Sequence, residues 1–229
     1  MSMDGRIVLI TGAKGGLGTS VTESFLKAGA TVVGASRSIK QTDFSSPRFA
    51  AMPVDFSSGS AVRELVDQIV ARFSKIDALA HVLGGFAGGQ PVAETDDKTW
   101  EKMRDLNLTS AFYITRAVLP HMRKAGYGRI VAVGSLTAVE PHPGLAAYVT
   151  FKAALVTLIR TIALENADAN ITANVILPGT MDTPANRASM PTADFSKWLQ
   201  PTDVASLILW LAAEQAAQIT GTVVPIPGH

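Results

Sequence analysis

Residues 135–152, Ser-Leu-Thr-Ala-Val-Glu-Pro-His-Pro-Gly-Leu-Ala-Ala-Tyr-Val-Thr-Phe-Lys, combine an apolar helix pattern with the hydroxyl of Ser135, the phenol of Tyr148 and the ammonium of Lys152. Tyr148 and Lys152 stand four residues apart in the apolar run, so the predicted helix puts both side chains on one face. A cation within about 4–6 Å favours the phenolate and lowers the pKa of a tyrosine from its usual value near about 10. Such a tyrosine can exchange a proton with a substrate oxygen. Ser135 closes the strand-like run 129–134, where ligands of open α/β sheets commonly bind.

A glycine-rich turn follows the first apolar run of the chain, residues 7–10. It reads Thr11-Gly12-Ala13-Lys14-Gly15-Gly16-Leu17-Gly18 and leads into a helical pattern, which predicts strand, turn and helix. Glycines let the backbone approach a diphosphate, and the positive end of the following helix attracts its charge. Glycine also serves tight turns in many α/β proteins. The dinucleotide interpretation assigns cofactor binding to Gly12, Lys14, Gly16, Leu17 and Gly18.

The second predicted strand, residues 31–35, ends in Ser36 and Arg37. In dinucleotide folds an acidic residue after this strand binds the ribose hydroxyls of NAD, whereas a nearby arginine accommodates the extra phosphate of NADP. No carboxylate stands here to repel that phosphate, and Lys14 can assist Arg37. The sequence therefore favours NADP(H) and leaves NAD(H) possible, the alternative being a solvated surface arginine.

The alternation of strand and helix patterns continues to a last strand at residues 221–226. It predicts an α/β fold of Rossmann type, with a doubly wound, mostly parallel sheet flanked by helices on both faces. At 229 residues, of which 47% are hydrophobic and 17% charged, the chain suits a single domain spanning 1–229. The irregular segment at about 180–200 is expected to form a loop or short helix over the site.

Composition limits the partners and the compartment. The formal net charge is +1, with acids and bases spread along the chain, so we expect a small-molecule substrate and no nucleic acid or membrane partner. The chain has no cysteine, which excludes disulfides and thiolate metal sites, and we predict no metal. The first strand begins within a few residues of the N-terminus, and Lys152 and Arg160 interrupt the longest apolar stretch. These features predict a cytoplasmic protein.

The motifs together resemble the short-chain dehydrogenase/reductase family over essentially the whole chain. The residues that carry this resemblance occur in the family's order and spacing: Thr11-Gly12-x-x-x-Gly16-x-Gly18, Asp55, Asn107, Ser135, Tyr148-x-x-x-Lys152 and Pro178-Gly179. The resemblance implies that Tyr148 is the general acid in reduction and that Ser135 hydrogen-bonds the substrate oxygen. It also implies that Lys152 lowers the tyrosine pKa and holds the nicotinamide ribose. Asn107 would hold a proton-relay water, although a helix predicted from 100 to 122, with a break, would by itself favour solvent exposure.

The same resemblance implies the remaining cofactor contacts. Those at the adenine and along the nicotinamide are expected from Asp55, Phe56, Leu83, Gly84, Pro178, Gly179, Thr180 and Thr183. One departure follows the fourth strand, where the family usually has Asn-Asn-Ala-Gly and this chain has His81-Val82-Leu83-Gly84. We expect packing of a buried His81 to replace the sheet-stabilising role of those asparagines.

Two loop stretches, 84–89 and 181–198, are similar to the corresponding segments of dihydropteridine reductases within this family. Those reductases typically favour NADH and lack the catalytic serine, whereas this chain has Ser36-Arg37 and retains Ser135. Reduction of a quinonoid dihydropterin is therefore the alternative to a general carbonyl or alcohol substrate. A sensor that binds NADP(H) without turnover is a third possibility, but it would be expected to have lost Tyr148 or Lys152.

The helix pattern from 145 to 164 is apolar on more than one face, as expected of a helix that packs on the sheet and on a neighbouring subunit. With the resemblance, it predicts a homotetramer, with a dimer as fallback. In the loops expected to line the substrate pocket, His142 is either a substrate contact or a solvated histidine. Arg187 is either an anion-binding residue or part of a structural salt bridge.

Overall fold

Seven strands form one sheet in which every neighbouring pair is parallel, in the order β3-β2-β1-β4-β5-β6-β7. The computed structural model describes residues 1–228, so residue 229 of the predicted domain lies outside the described residues. The strands are β1 Ile7–Thr11, β2 Thr31–Ser36, β3 Phe49–Pro53, β4 Ala78–His81, β5 Gly128–Val133, β6 Ile171–Pro178 and β7 Val223–Ile226. The predicted Rossmann-type sheet is confirmed, and it is parallel throughout.

Helices cover both faces of the sheet, as predicted. They are α1 Gly16–Lys27, α2 Gly59–Phe73, α3 Asp97–Arg104, α4 Ser110–Ala125, α5 Ala146–Glu165, α6 Pro184–Ser189 and α7 Pro201–Leu211. Because successive strand side chains point to opposite faces, Leu9 packs in the core under α2, α4 and α5, whereas Val8 and Ile10 pack under α1 and α7. The central strands β1, β4, β5 and β6 are therefore buried along their whole lengths, which explains their mostly apolar sequences.

Strands β1 and β4 lie side by side in the middle of the sheet. From β1 the chain adds β2 and β3 toward one edge, and from β4 it adds β5, β6 and β7 toward the other. At the carboxyl ends of β1 and β4, Thr11 pairs with Ala35 of β2 on one side and with His81 of β4 on the other. Loops that leave β1 and β4 turn to opposite faces of the sheet, which opens a crevice between them. The glycine turn after β1 and the segment after β4 meet at this crevice.

Helix α5, which carries Tyr148 and Lys152, packs against β6. Its inner face, with Leu155 and Ile159, belongs to the buried core, whereas Leu164 near its end is exposed. Among residues 1–228 it is the one helix long and apolar enough to cross a membrane, with a mean hydropathy of 1.5. Core helices of soluble proteins share that composition, so this property is weak evidence for a membrane span.

Candidate active site

A cleft of about 1150 Å³ runs along the carboxyl ends of the strands at the crevice between β1 and β4. Most of the residues predicted to bind the cofactor or to act in catalysis line it: Gly12, Lys14, Gly16, Leu17, Gly18, Ser36, Arg37, Asp55, Phe56, Leu83, Gly84, Tyr148, Lys152 and Thr183. Residues that are up to 171 positions apart in the sequence, from Gly12 to Thr183, therefore meet in a single cleft.

Five predicted site residues do not line the cleft: Asn107, Ser135, Pro178, Gly179 and Thr180. Pro178 is the last residue of β6 and is buried. The N–H of Gly179 donates to the carbonyl of Ile226 at 2.8 Å, and Thr180 accepts from the N–H of Leu199 at 2.9 Å. The start of the predicted nicotinamide segment thus packs against the C-terminal strand, and Thr183 is its first predicted contact in the cleft.

Three glycines in the turn after β1 have no room for a Cβ atom. Gly12 has a φ of +69°, and a Cβ there would lie 3.0 Å from the main chain of Leu83. A Cβ on Gly18 would clash with the carbonyl oxygen of Gly12, and one on Gly16 would lie 2.8 Å from Cγ2 of Thr183. Helix α1 begins at Gly16 with no acidic residue in its first turn. The turn therefore offers main-chain N–H groups and a positive helix end to an anion, as a diphosphate requires.

The side chains beyond β2 suit the ribose end of a dinucleotide. Ser36 Oγ is buried and has no hydrogen-bond partner within residues 1–228, whereas Arg37 beside it is exposed. Buried hydroxyls normally have a partner, so Ser36, a residue that lines the cleft, has unmet hydrogen-bonding capacity. The Asp55 carboxylate accepts from the N–H of Ser57 at 3.0 Å, and this bond, helped by the charge of Arg37, lowers the pKa of Asp55. These residues fit a nicotinamide dinucleotide.

Lys14 is engaged in a way that the sequence did not reveal. Its Nζ lies 3.1 Å from Oδ1 of Asp43 and 3.4 Å from the carbonyl oxygen of Ser38. Asp43 belongs to a single helical turn, Gln41–Asp43, between β2 and β3. Lys14 was expected to help Arg37 bind the extra phosphate of NADP. In the structure this lysine already has a carboxylate partner.

Tyr148 and Lys152 lie on the same face of α5, with Lys152 Nζ 5.9 Å from the centre of the Tyr148 ring. Lys152 is 4% exposed, and its ammonium donates to the carbonyl of Val133 at 2.9 Å. Burial lowers the pKa of Lys152 to about 8, because removal from water disfavours its charged form. A Cβ on Gly84 would lie 3.1 Å from this ammonium, so the glycine permits the close approach of the two segments.

The pKa of Tyr148 departs from the sequence-based expectation. Burial raises it, and a hydrogen bond with Ser135 offsets only part of that increase. The net direction is opposite to the predicted lowering by Lys152, because desolvation of the phenol outweighs the favourable contacts of its ionised form. Ser135 is itself held in place, since its Oγ lies 2.9 Å from the hydroxyl of Thr137 and accepts from the N–H of that residue at 3.3 Å.

Asn107 lies in a π-helical turn, Asp105–Thr109, that joins α3 to α4. This turn is the break in the predicted helix. The residue is 0% exposed, so a solvent-facing position is wrong. Its Oδ1 accepts from the N–H of Gly85 at 3.1 Å, and its Nδ2 donates to the carbonyls of Gly85 and Met103, each at 3.0 Å. Asn107 therefore fixes the glycine segment that borders the cleft.

His81 was expected only to pack inside the protein, but it also makes a side-chain hydrogen bond. It is fully buried at the end of β4, and its Nδ1 shares a hydrogen bond of 2.9 Å with the hydroxyl of Thr11, which also accepts from the N–H of Leu83 at 3.3 Å. A hydrogen bond, and not packing alone, thus ties β4 to β1. Burial, with a smaller effect of the Lys152 charge, lowers the pKa of His81 to about 3. Its Nε2 has no partner within residues 1–228.

The substrate side of the cleft is apolar near Tyr148. The ring of Phe86, 65% exposed, stands edge-on to the Tyr148 ring with the centroids 5.1 Å apart. In the segment expected to cover the site, Arg187 pairs with Asp182, Nη2 to Oδ2 at 2.8 Å, and its guanidinium stacks on Phe195. Arg187 was expected either to bind an anion or to form a structural salt bridge, and these contacts favour the salt bridge. His142 is exposed.

The fold and the cleft define a dinucleotide-binding α/β protein with a proton-transferring group beside the cofactor crevice. Comparison with known proteins gives the family. A family model described as short chain dehydrogenase matches residues 6–194. The chain belongs to the short-chain dehydrogenase/reductase family and is an NAD(P)-dependent oxidoreductase.

Two curated relatives match over nearly their whole lengths. The chain is 32% identical to D-beta-hydroxybutyrate dehydrogenase of Rhizobium meliloti, with 97% of each chain covered. It is 28% identical to the 3-oxoacyl-[acyl-carrier-protein] reductase FabG of Thermotoga maritima, with 100% of this chain and 98% of the relative covered. The family matches therefore cover the cofactor crevice and the substrate side alike.

Two solved structures have the same fold and carry nicotinamide cofactors. ElxO with NADP bound superposes with a TM-score of 0.92 at 29% identity, with 97% of each chain covered. The 3-ketoacyl-(acyl-carrier-protein) reductase from Brucella melitensis, complexed with NADH, superposes with a TM-score of 0.90 at 27% identity, over 99% of this chain and 98% of the other. Structures similar to this chain thus hold either cofactor.

Proposed function

We propose that this chain is an NADP(H)-preferring oxidoreductase that interconverts a carbonyl compound and its alcohol, with Tyr148 as the general acid and base. The observation that carries the proposal is that Tyr148 and Lys152 line the same cleft as the glycine turn and Ser36. A proton donor and a dinucleotide cradle in one cleft are what hydride transfer to a carbonyl requires.

The nicotinamide, when bound, supplies or accepts the hydride. In reduction, Tyr148 gives its proton to the substrate oxygen as negative charge develops there. Burial raises the pKa of Tyr148, so the phenol carries its proton at neutral pH and gives it up only as charge develops on the substrate oxygen. Ser135, already hydrogen-bonded to Thr137, orients the same oxygen. Lys152 places a positive charge beside the phenol and favours its ionised form after proton transfer.

Asn107 supports this arrangement from behind the cleft. Its amide holds the main chain of Gly85 from both sides, so the segment after β4 keeps its shape beside Lys152. We also propose that Asn107 holds the proton-relay water that the family resemblance implies. A proton drawn from solvent through it would restore Tyr148 after each turnover.

The preference for NADP(H) is supported by the residues after β2. Ser36 and Arg37 stand where an NAD-specific chain would carry a carboxylate, and both residues line the cleft. Arg37 is exposed and makes no ion pair within residues 1–228, so its charge is available to a phosphate. The similar structure of ElxO holds NADP, which agrees with this preference. Use of NAD(H) remains the alternative.

The substrate class follows from the cleft and the relatives. Both curated relatives carry names that describe oxo or hydroxy substrates, and the apolar Phe86 stands beside the proton donor here. None of the relatives named above is a dihydropteridine reductase, and Ser135 is present. A quinonoid dihydropterin is therefore the competing substrate in the test. We also propose a cytoplasmic homotetramer, with a dimer as fallback, and a monomer in sedimentation at micromolar concentration would contradict both states.

The experiment is oxidation of NADPH by the purified protein, compared with NADH, on a panel of ketones, aldehydes and quinones beside quinonoid dihydropterin. The proposal expects carbonyl turnover with a higher kcat/KM for NADPH. Turnover of the pterin alone would replace the proposed substrate class. A higher kcat/KM for NADH would refute the cofactor preference without affecting the carbonyl chemistry.

A further inference from the structure

We propose that Asp43 limits the preference of this chain for NADP(H) over NAD(H), because its carboxylate competes with the 2′-phosphate of the cofactor for Lys14. The inference rests on the proposed cofactor preference, and it adds a specificity-determining residue that lies outside the cleft. Lys14 lines the cleft beside Ser36 and Arg37, and Asp43 stands behind Lys14.

The contact between the two side chains is direct. Lys14 Nζ lies 3.1 Å from Asp43 Oδ1, within hydrogen-bond distance, and the side chains are 43% and 19% exposed respectively. The carbonyl of Ser38 accepts from the same ammonium at 3.4 Å. Two of the three N–H groups of Lys14 are therefore engaged by the protein before any phosphate arrives.

Asp43 cannot easily follow Lys14 toward a ligand. Its second oxygen, Oδ2, accepts from the main-chain N–H of Lys40 at 2.8 Å, which fixes the carboxylate at the start of the turn Gln41–Asp43. That main-chain hydrogen bond, with smaller contributions from Lys14 and Lys40, lowers the pKa of Asp43 and keeps it ionised. A phosphate that binds Lys14 must therefore replace a fixed negative charge.

Arg37, the other cation at this end of the cleft, has no carboxylate within ion-pair distance in the described residues, and the charge of Asp55 acts on it only from farther away. Arg37 is exposed, and Ser36 Oγ has no partner in the part of the chain that the structure describes. Arg37 can bind a 2′-phosphate without giving up a direct ion pair, whereas Lys14 cannot. Asp43 thus weakens the attraction of Lys14, one of the two cations near the proposed phosphate position, for the 2′-phosphate of NADP. Binding of NAD is unaffected, because NAD has no 2′-phosphate.

The test uses adenosine 2′,5′-bisphosphate and adenosine 5′-monophosphate, which differ by the 2′-phosphate alone and need no turnover. Dissociation constants are measured by titration calorimetry for the wild type, Asp43→Asn, Lys14→Met and the double variant. The amide introduced by Asp43→Asn would keep an oxygen for the Lys40 N–H while losing the charge. Glu23→Gln, an exposed acid farther along α1, is the matched control for a change in net charge.

An exposed ion pair of this kind changes an equilibrium constant by up to about fivefold. We therefore expect Asp43→Asn to bind the bisphosphate about threefold to fivefold more tightly, with the monophosphate and the Glu23→Gln control unchanged. In the Lys14→Met background the gain should disappear, because Asp43 acts through Lys14.

Other outcomes overturn the inference. They are an unchanged or weaker affinity of Asp43→Asn for the bisphosphate, an equal gain for both nucleotides, or a gain that persists without Lys14. The wild type tests the proposed function separately. If it binds both nucleotides equally, the NADP(H) preference fails, and Asp43→Asn then decides the inference by whether a preference for the bisphosphate emerges.

Discussion

The side-chain amide of Asn107 and the main chain of Gly85 are joined by two hydrogen bonds, one in each direction, of 3.1 and 3.0 Å. Through them the π-helical turn before α4 fixes the glycine segment after β4. Asn107 is fully buried, so the polar atoms of its amide depend on Gly85 and Met103 for their hydrogen bonds.

We predict that Asn107→Ala lowers the free energy of unfolding by about 1–3 kcal/mol, the usual cost of buried polar groups left without partners. It should also weaken binding of ADP-ribose, because Gly84 and Gly85 border the cleft. Urea denaturation and calorimetry measure the two effects. Thr115→Ala, which removes a buried hydrogen bond within α4, should reduce stability and leave ligand binding unchanged. Equal loss of ligand affinity in both variants would contradict the role of Asn107.

Tyr148→Phe tests the proton donor. The substitution keeps the ring and its contact with Phe86 but removes the hydroxyl, so we expect kcat for carbonyl reduction to fall by about 10²–10⁴-fold. Affinity for the cofactor should stay within about twofold, since no charge is lost. Tyr113→Phe on α4, outside the cleft, is the control and should retain full activity. Full turnover by Tyr148→Phe would require another acid.

His81 makes the stability of the protein sensitive to acid. Its pKa is about 3 when folded and 6.5 ordinarily, so the unfolded chain binds more protons between these values. Stability therefore falls as the pH decreases through 6.5, by about 2 kcal/mol at pH 5. His81→Asn should remove this part of the pH dependence, whereas His142→Asn, at an exposed position, should not. Denaturation curves at pH 7 and pH 5 measure it. An unchanged loss in His81→Asn would show that other groups cause the acid sensitivity.

The fold could be predicted because its signals are local. Periodicity put Tyr148 and Lys152 on one helix face, and the apolar runs with their glycine turn gave the order of strands and helices. The parts that could not be predicted depend on contacts between distant residues. The ion pair of Lys14 with Asp43 spans 29 residues, and the hydrogen bond of Thr11 with His81 spans 70.

Two features of the site could not be predicted from local signals alone. Helix propensity alone favours solvent exposure for Asn107, because propensity contains no information about its bonds to Gly85. The spacing of Tyr148 to Lys152 alone predicts a lowered tyrosine pKa. Burial of a phenol depends on what packs over it, and the sequence does not place Phe86 against Tyr148. Motif spacing therefore predicts which residues meet but not how strongly each is desolvated.

Phe86 is expected to influence the chemistry through that desolvation. Its ring covers one edge of Tyr148, and burial is the main cause of the raised pKa of the tyrosine. Phe86→Ala admits water to the phenol and should lower its pKa. Because reduction needs the protonated phenol, the rate decreases as the pH rises through that pKa, in a step separate from the loss of charge of Lys152 near pH 8. The alkaline limb of the kcat/KM profile should therefore move to lower pH in Phe86→Ala.

Phe86→Leu is the matched control, since a leucine keeps an apolar cover without the aromatic edge contact. Its alkaline limb should stay close to that of the wild type. Because Phe86 is 65% exposed, neither substitution should alter the free energy of unfolding by more than about 1 kcal/mol, so a changed profile reports the site and not the fold. Coincident profiles for all three proteins would mean that other residues desolvate Tyr148. A shift to higher pH in Phe86→Ala would contradict the physical argument itself.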